Sequence, residues 1–208
     1  MQERRRMRVS VSPGFLLALS MLYYLDRQRI LLWLLPGCLL HEAAHWAALR
    51  WAGGKVAALR MTISGVSMEL HRPSIILSYP KELAVMLAGP AANLLCMGFA
   101  ALIGRWITAP TLYLLSGLNL GLALWNLLPA APLDGGRALC LFLSWLISPA
   151  FADVLLQLTT FLTALTMIIL GGYAIGHGGG FTLLTTGIWL LFQVPGWRKG
   201  LANRALSV

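Results

Sequence analysis

Leu39-Leu40-His41-Glu42-Ala43-Ala44-His45-Trp46-Ala47-Ala48-Leu49 sets three ionisable side chains in the interior of an apolar run that extends from about residue 29 to 51, with Arg29 and Arg50 at its ends. At about 1.5 Å of rise per residue, such a run is long enough to cross a bilayer as a helix. Ionisable groups are expensive at that depth and mark functional sites by default. In a helix, His41 and His45 lie one turn apart on the same face, where two imidazoles can reach one metal ion. Glu42 flanks the pair without being forced onto the metal. H-E-x-x-H with the Glu as general base is a zinc-protease signature. Zinc lowers the pKa of a bound water to about 7 and polarises a carbonyl.

The rest of the chain agrees with a membrane setting. Its 208 residues are 58% hydrophobic and only 11% charged, with a mean hydropathy of +0.75. Soluble domains carry about 25% charged residues. The net charge of +9 does not indicate nucleic acid, because the basic residues sit at the ends of apolar runs, as the positive-inside rule requires. The basic start, Met1 to Arg8, resembles the charged region of a signal peptide. No small-residue cleavage site clearly follows it, so it reads as the start of a retained first span. Cys38, Cys96 and Cys140 all lie in apolar segments and give no disulfide framework. Cys38 could share the face of His41, but a small buried hydrophobe is the default reading.

The pattern predicts an all-α membrane protein with about six transmembrane helices. They cover roughly 9–25, 29–51, 80–104, 110–128, 151–175 and 181–195. A further apolar stretch, 138–148, reads as entering the membrane without crossing. Gly53-Gly54 ends the second span. Val56 to Leu70 then mixes β-branched and polar residues around Ser64-Gly65, which predicts a short membrane-associated β-hairpin. An open sheet edge cannot face lipid, so the hairpin belongs at the interface or against protein. Placing both termini in the cytoplasm leaves only Arg27, Arg29 and Arg105 on the outer side and all the other assigned basic residues inside. His41 and His45 then lie in the inner half of the second span.

Two histidines do not complete a hydrolytic zinc site, which usually has three protein ligands and a water. The chain has only seven acidic residues. Asp134 stands out among them, in Asn126-Leu127-Leu128-Pro129-Ala130-Ala131-Pro132-Leu133-Asp134-Gly135-Gly136. Prolines that stop a helix and glycines that permit a tight turn would aim one carboxylate from irregular backbone. Asp134 follows the inner end of the fourth span, the same side as the histidines. Two neutral imidazoles and one carboxylate suit activation of a water.

The two segments together resemble the site-2 protease family of intramembrane zinc metalloproteases. Ala88-Gly89-Pro90-Ala91-Ala92-Asn93 is similar to a third motif of that family. The six-span layout resembles the bacterial sporulation type, stage IV sporulation protein FB. The resemblance implies one zinc ion held by His41, His45 and Asp134, with Glu42 as catalytic base and Asn126 near substrate. The chain reads as a single integral-membrane domain, 1–208, with its core at about 29–148; it departs from larger members of the family in having neither a PDZ nor a CBS domain. The resemblance also implies hydrolysis of a peptide bond in or near a transmembrane segment. The partners would be a single-span membrane-protein substrate, the lipid bilayer and a regulatory membrane protein, with no nucleic acid. The chain would reside in a bacterial cell membrane, with its active site near the cytoplasmic face. The competing reading is an inactive homologue or a zinc-binding membrane module. The presence of both His, Glu42 and Asp134 favours the enzyme.

Other signals carry less. His177-Gly178-Gly179-Gly180 lacks the G-x-S-x-G partner of a lipase-type oxyanion loop and reads as an outer turn. Gly117-x-x-x-Gly121 reads as internal helix packing. His71 reads as a solvated interfacial side chain.

Overall fold

The computed structural model describes residues 8–54, 56–62, 65–70 and 78–194. In chain order the elements are β1 (Arg8–Val11), α1 (Pro13–Leu25), α2 (Ile30–Trp51), β2 (Val56–Thr62), β3 (Gly65–Leu70), α3 (Tyr79–Ile107), α4 (Pro110–Asn126), α5 (Asp134–Leu146), α6 (Pro149–Gly176) and α7 (Thr182–Phe192). The chain forms two compact units, Met1–Ala123 and Leu124–Val208. The basic start Met1–Met7, Ser64 at the hairpin's turn, His71 and the segment after Val194 lie outside the described residues.

Helix ends follow from local chemistry. Ser12 caps α1, its hydroxyl accepting from the Phe15 N–H at 3.1 Å, and Pro13 takes the first helical position, where its missing N–H costs nothing. Ser148 and Pro149 repeat this at α6. At the end of α2, Gly53 adopts a left-handed φ of 97°. Its N–H donates to the Arg50 carbonyl at 3.1 Å, and the Gly54 N–H donates to the Leu49 carbonyl at 2.8 Å. That is a Schellman termination, and it turns the chain from α2 towards β2.

The expected hairpin is present, with β2 antiparallel to β3 and Arg60 opposite Ser67. The sheet has a third member. Arg8–Val11, expected to begin the first span, pairs in parallel with β2, Arg8 opposite Ala58 and Val11 opposite Met61. The strand order is β1-β2-β3, so β2 is paired on both sides. The physical reason lies at Ser12-Pro13. Proline starts a helix but cannot continue one, so the apolar run divides there into a strand and a helix.

That division shortens α1 to 13 residues, about 20 Å of helix. Two helices, α3 and α6, are long and apolar enough to cross a membrane. They bury little of themselves: on α3, Phe99 is 63% exposed and Trp106 is 83% exposed. A helix at the core of a soluble protein would hide such side chains. α2 has 22 residues, but His41, Glu42, His45 and Arg50 make it more polar. α7 has 11 residues.

In the first unit, α2 packs along α3. In the second, α6 packs against α5 and α7, and Ala130, Leu133, Ala164 and Leu190 form a buried apolar cluster.

The left-handed turn at Gly53 generates a prediction. Gly53→Ala should destabilise the first unit by about 1–2 kcal/mol, the cost of forcing an L-residue into that conformation. Gly53→Asn should cost less. Thermal unfolding in detergent measures both.

Candidate metal centre

His41 is buried and His45 half-buried on adjacent turns of α2. Their Nε2 atoms stand 3.1 Å apart, with the ring planes crossed at 78°. The Nδ1–H of His45 donates to the Val85 carbonyl on α3 at 2.7 Å. That bond fixes the tautomer and leaves the Nε2 lone pair facing His41. Two nitrogens on one tetrahedral zinc, each about 2.0–2.1 Å from it, stand about 3.3 Å apart. The observed spacing therefore fits two ligands of a single ion. Glu42 lies between the two histidines in sequence and is half-buried.

The approach of α3 makes the site possible. A Cβ on Gly89 would collide with Nε2 of both His41 and His45. Only hydrogen at that position lets the α3 backbone lie against the two imidazoles, and Val85 is the residue one turn earlier on the same face. Gly89 was read from sequence only as part of a resemblance. The structure gives it a steric reason.

The second unit holds Asn126 and Asp134. Asn126 is the last residue of α4. Asp134 is the first residue of α5, where a carboxylate is favoured by the helix dipole. The glycines that follow it do something other than expected. The described glycines with left-handed φ are Gly53 and Gly178, so Gly135 and Gly136 make no special turn. They belong to the first turn of α5, and the loop before it presses on them. A Cβ on Gly135 would strike the Leu127 carbonyl, and one on Gly136 would strike the Ala130 carbonyl. Their smallness seats the loop 127–133 against the helix that begins with Asp134.

Thr160 anchors that loop and was not singled out in the sequence. Its hydroxyl accepts from the Ala131 N–H at 2.9 Å and donates to the Leu156 carbonyl at 2.6 Å. Thr160 is fully buried. A threonine inside an apolar helix gives no sequence signal that separates an anchor of this kind from a residue bonded only to its own helix. Cys38 is half-buried and free.

No protein-family model matches the chain. Curated relatives do. It is 32% identical to zinc metalloprotease Rip3 of Mycobacterium tuberculosis over 175 residues, which are 79% of this chain and 42% of Rip3. It is 34% identical to zinc metalloprotease MJ0392 of Methanocaldococcus jannaschii over 111 residues, 50% of this chain and 31% of that protein. It is 33% identical to zinc metalloprotease sll0528 of Synechocystis over 105 residues, 48% of this chain and 27% of that protein. The chain thus spans less than half the length of these relatives. Its fold is similar to that of a solved site-2 protease from Methanocaldococcus jannaschii, with a TM-score of 0.65 at 23% identity over 92% of both chains.

Two substitutions test the geometry. Gly89→Ala should displace both imidazoles and lower zinc content of the purified protein at least tenfold, with helical content by circular dichroism unchanged. Thr160→Val strands the half-buried Ala131 N–H and should cost about 1–3 kcal/mol of stability, read as a lowered thermal midpoint.

Proposed function

We propose that the chain belongs to the site-2 protease family of zinc metalloproteases and that it hydrolyses a peptide bond within or beside a transmembrane segment of a membrane-protein substrate. The observation that carries this reading is the pair His41–His45, with Nε2 atoms 3.1 Å apart and one ring locked by a backbone carbonyl, on an apolar helix.

In this reading His41, His45 and Asp134 hold the metal. Zinc, when bound, supplies an acidified water and Lewis-acid polarisation of the scissile carbonyl. Glu42 takes the proton of the attacking water and delivers it to the leaving amine. The Val85 carbonyl keeps His45 in the ligand tautomer. Asn126 lies near the substrate backbone. Six spans carry the site, both termini are cytoplasmic, and the metal sits near the cytoplasmic face of a bacterial cell membrane. The substrate is a single-span protein, and a regulatory membrane protein controls access to it.

A transmembrane helix hides its peptide groups in intrahelical hydrogen bonds, so cleavage requires local unwinding. The unwound substrate adds as a strand to the hairpin. Among the described residues β2 is paired on both sides and β3 on one, so β3 is the strand of the hairpin with an edge to offer.

The second reading, a chain that binds zinc without hydrolysis, is separated by one comparison. Wild type and Glu42→Gln are co-expressed with candidate single-span proteins, and zinc and cleavage are both measured. Glu42→Gln should keep zinc and lose cleavage by several orders of magnitude, whereas His45→Ala and Asp134→Asn should lose zinc. Equal cleavage by wild type and Glu42→Gln would refute the base. Single prolines along β3, at positions whose N–H turns away from β2, should cut cleavage at least tenfold with zinc retained. Undiminished cleavage would refute strand addition.

A further inference from the structure

Among the described residues, three amide atoms in the interior of the first unit have no hydrogen-bond partner: Nδ2 and Oδ1 of Asn93, and Oδ1 of Asn119. Both side chains are 0% exposed. Buried polar groups are nearly always paired, and each exception calls for an explanation, a bound water or ion among them. The orientation of Asn119 is settled by its other end, where Nδ2 donates to the Leu115 carbonyl at 2.9 Å. A flipped amide would set two acceptors against each other.

The two asparagines lie at one level of the fold. α3 and α4 run antiparallel, with the Ser116 hydroxyl donating to the Met97 carbonyl at 3.0 Å. Further along, Gly104 lies against Leu112 and Tyr113. Asn93 is one turn before Met97, and Asn119 is just under one turn after Ser116, so the register brings them to the same height. α2 passes there too. A Cβ on Gly37 would lie 3.2 Å from Oδ1 of Asn119. Gly37 and His41 are buried positions one turn apart on α2. Asn93 is itself one turn beyond Gly89, whose backbone lies against His41 and His45.

The unmet hydrogen bonds match one ligand. A water can accept from Nδ2 of Asn93, donate to Oδ1 of the same amide in a cyclic pair, and donate its second proton to Oδ1 of Asn119. That gives three bonds, the usual number for a buried water. We infer that Asn93 and Asn119 hold one buried water between α3 and α4 against Gly37 of α2, and that this bridge positions the turn of α2 that carries His41. Proline makes the bridge useful. Pro36 has no N–H, so α2 lacks an internal hydrogen bond at the turn beside Gly37. The water ties α3 to α4 and fixes the Asn119 amide against which Gly37 packs, giving α2 a rigid neighbour where the helix itself is weakest. The positioning role rests on His41 as a metal ligand; the water does not.

The test uses the full chain purified in detergent. A structure at a resolution that shows ordered water should place density within hydrogen-bond distance of both amides. Asn93→Leu, Asn119→Leu and the double substitution are then compared by thermal midpoint and zinc affinity. Removing one partner strands the other, whereas removing both relieves the mismatch. Each single substitution should therefore lower the midpoint and weaken zinc roughly tenfold, the usual effect of losing an outer support of a metal ligand. The double should lose clearly less than the two singles combined. Additive losses, or a direct amide-to-amide contact with no water, would overturn the bridge. Coupled midpoints with unchanged zinc affinity would overturn the positioning role alone. A wild type that binds no zinc would sink the metal reading, while density and midpoints still judge the water. If the single variants do not fold, the density decides.

Discussion

The contact between the α3 backbone at Gly89 and the imidazoles of His41 and His45 is the constraint on which the metal-binding half of the first unit depends. A methyl group there would collide with both Nε2 atoms. With hydrogen in its place, the two helices come close enough for the Val85 carbonyl, one turn earlier, to accept from His45. That single bond does two things. It satisfies a polar nitrogen in an apolar interior, and it selects the tautomer in which the other nitrogen can bind a metal. Helix association between apolar surfaces has little hydrophobic drive in lipid, so close backbone approach and interhelical hydrogen bonds must supply it. The α2–α3 contact combines both at the chemical centre.

The second unit applies the same logic to a loop. Residues 127–133 follow α4 and precede Asp134, and irregular backbone of this kind is tolerated in a membrane protein only where its polar groups find partners. Thr160 gives the Ala131 N–H one. The Ala130 carbonyl accepts from the Leu133 N–H at 2.9 Å. Gly135 and Gly136 let the Leu127 and Ala130 carbonyls come within reach of α5. The carboxylate at the start of α5 is thereby presented from a segment fixed at both ends.

Much of this was legible in the sequence, and the parts that were not share a cause. Composition and the H-E-x-x-H spacing predicted an apolar helix with two histidines on one face because both depend on residues close in the chain. The end of α2 at Gly53-Gly54 was legible for the same reason. The strand at Arg8–Val11 was not, because its partner, β2, begins 45 residues further on, and a four-residue stretch joined directly to the apolar run after Pro13 reads as the start of that run. The glycines after Asp134 were noticed, but their purpose was misread. A glycine signals that a side chain is excluded, not whether the reason is backbone torsion or a neighbouring carbonyl. Val85 could not be found at all, since its contribution is a backbone carbonyl that every residue type possesses.

Buried polar atoms offer a way to separate groups that hold the structure from groups that do something more. Among the described residues the buried polar side chains are His41, Asn93, Ser116, Asn119 and Thr160. Ser116 and Thr160 spend their hydroxyls on backbone groups, so their roles are complete within the protein. His41 faces its fellow histidine across a distance that fits a shared metal. Asn93 and Asn119 differ, because three of their four amide atoms remain open. Leucine would fill the same space without leaving a polar atom unsatisfied. A water bridging the two amides would account for their presence, because it meets all three open atoms.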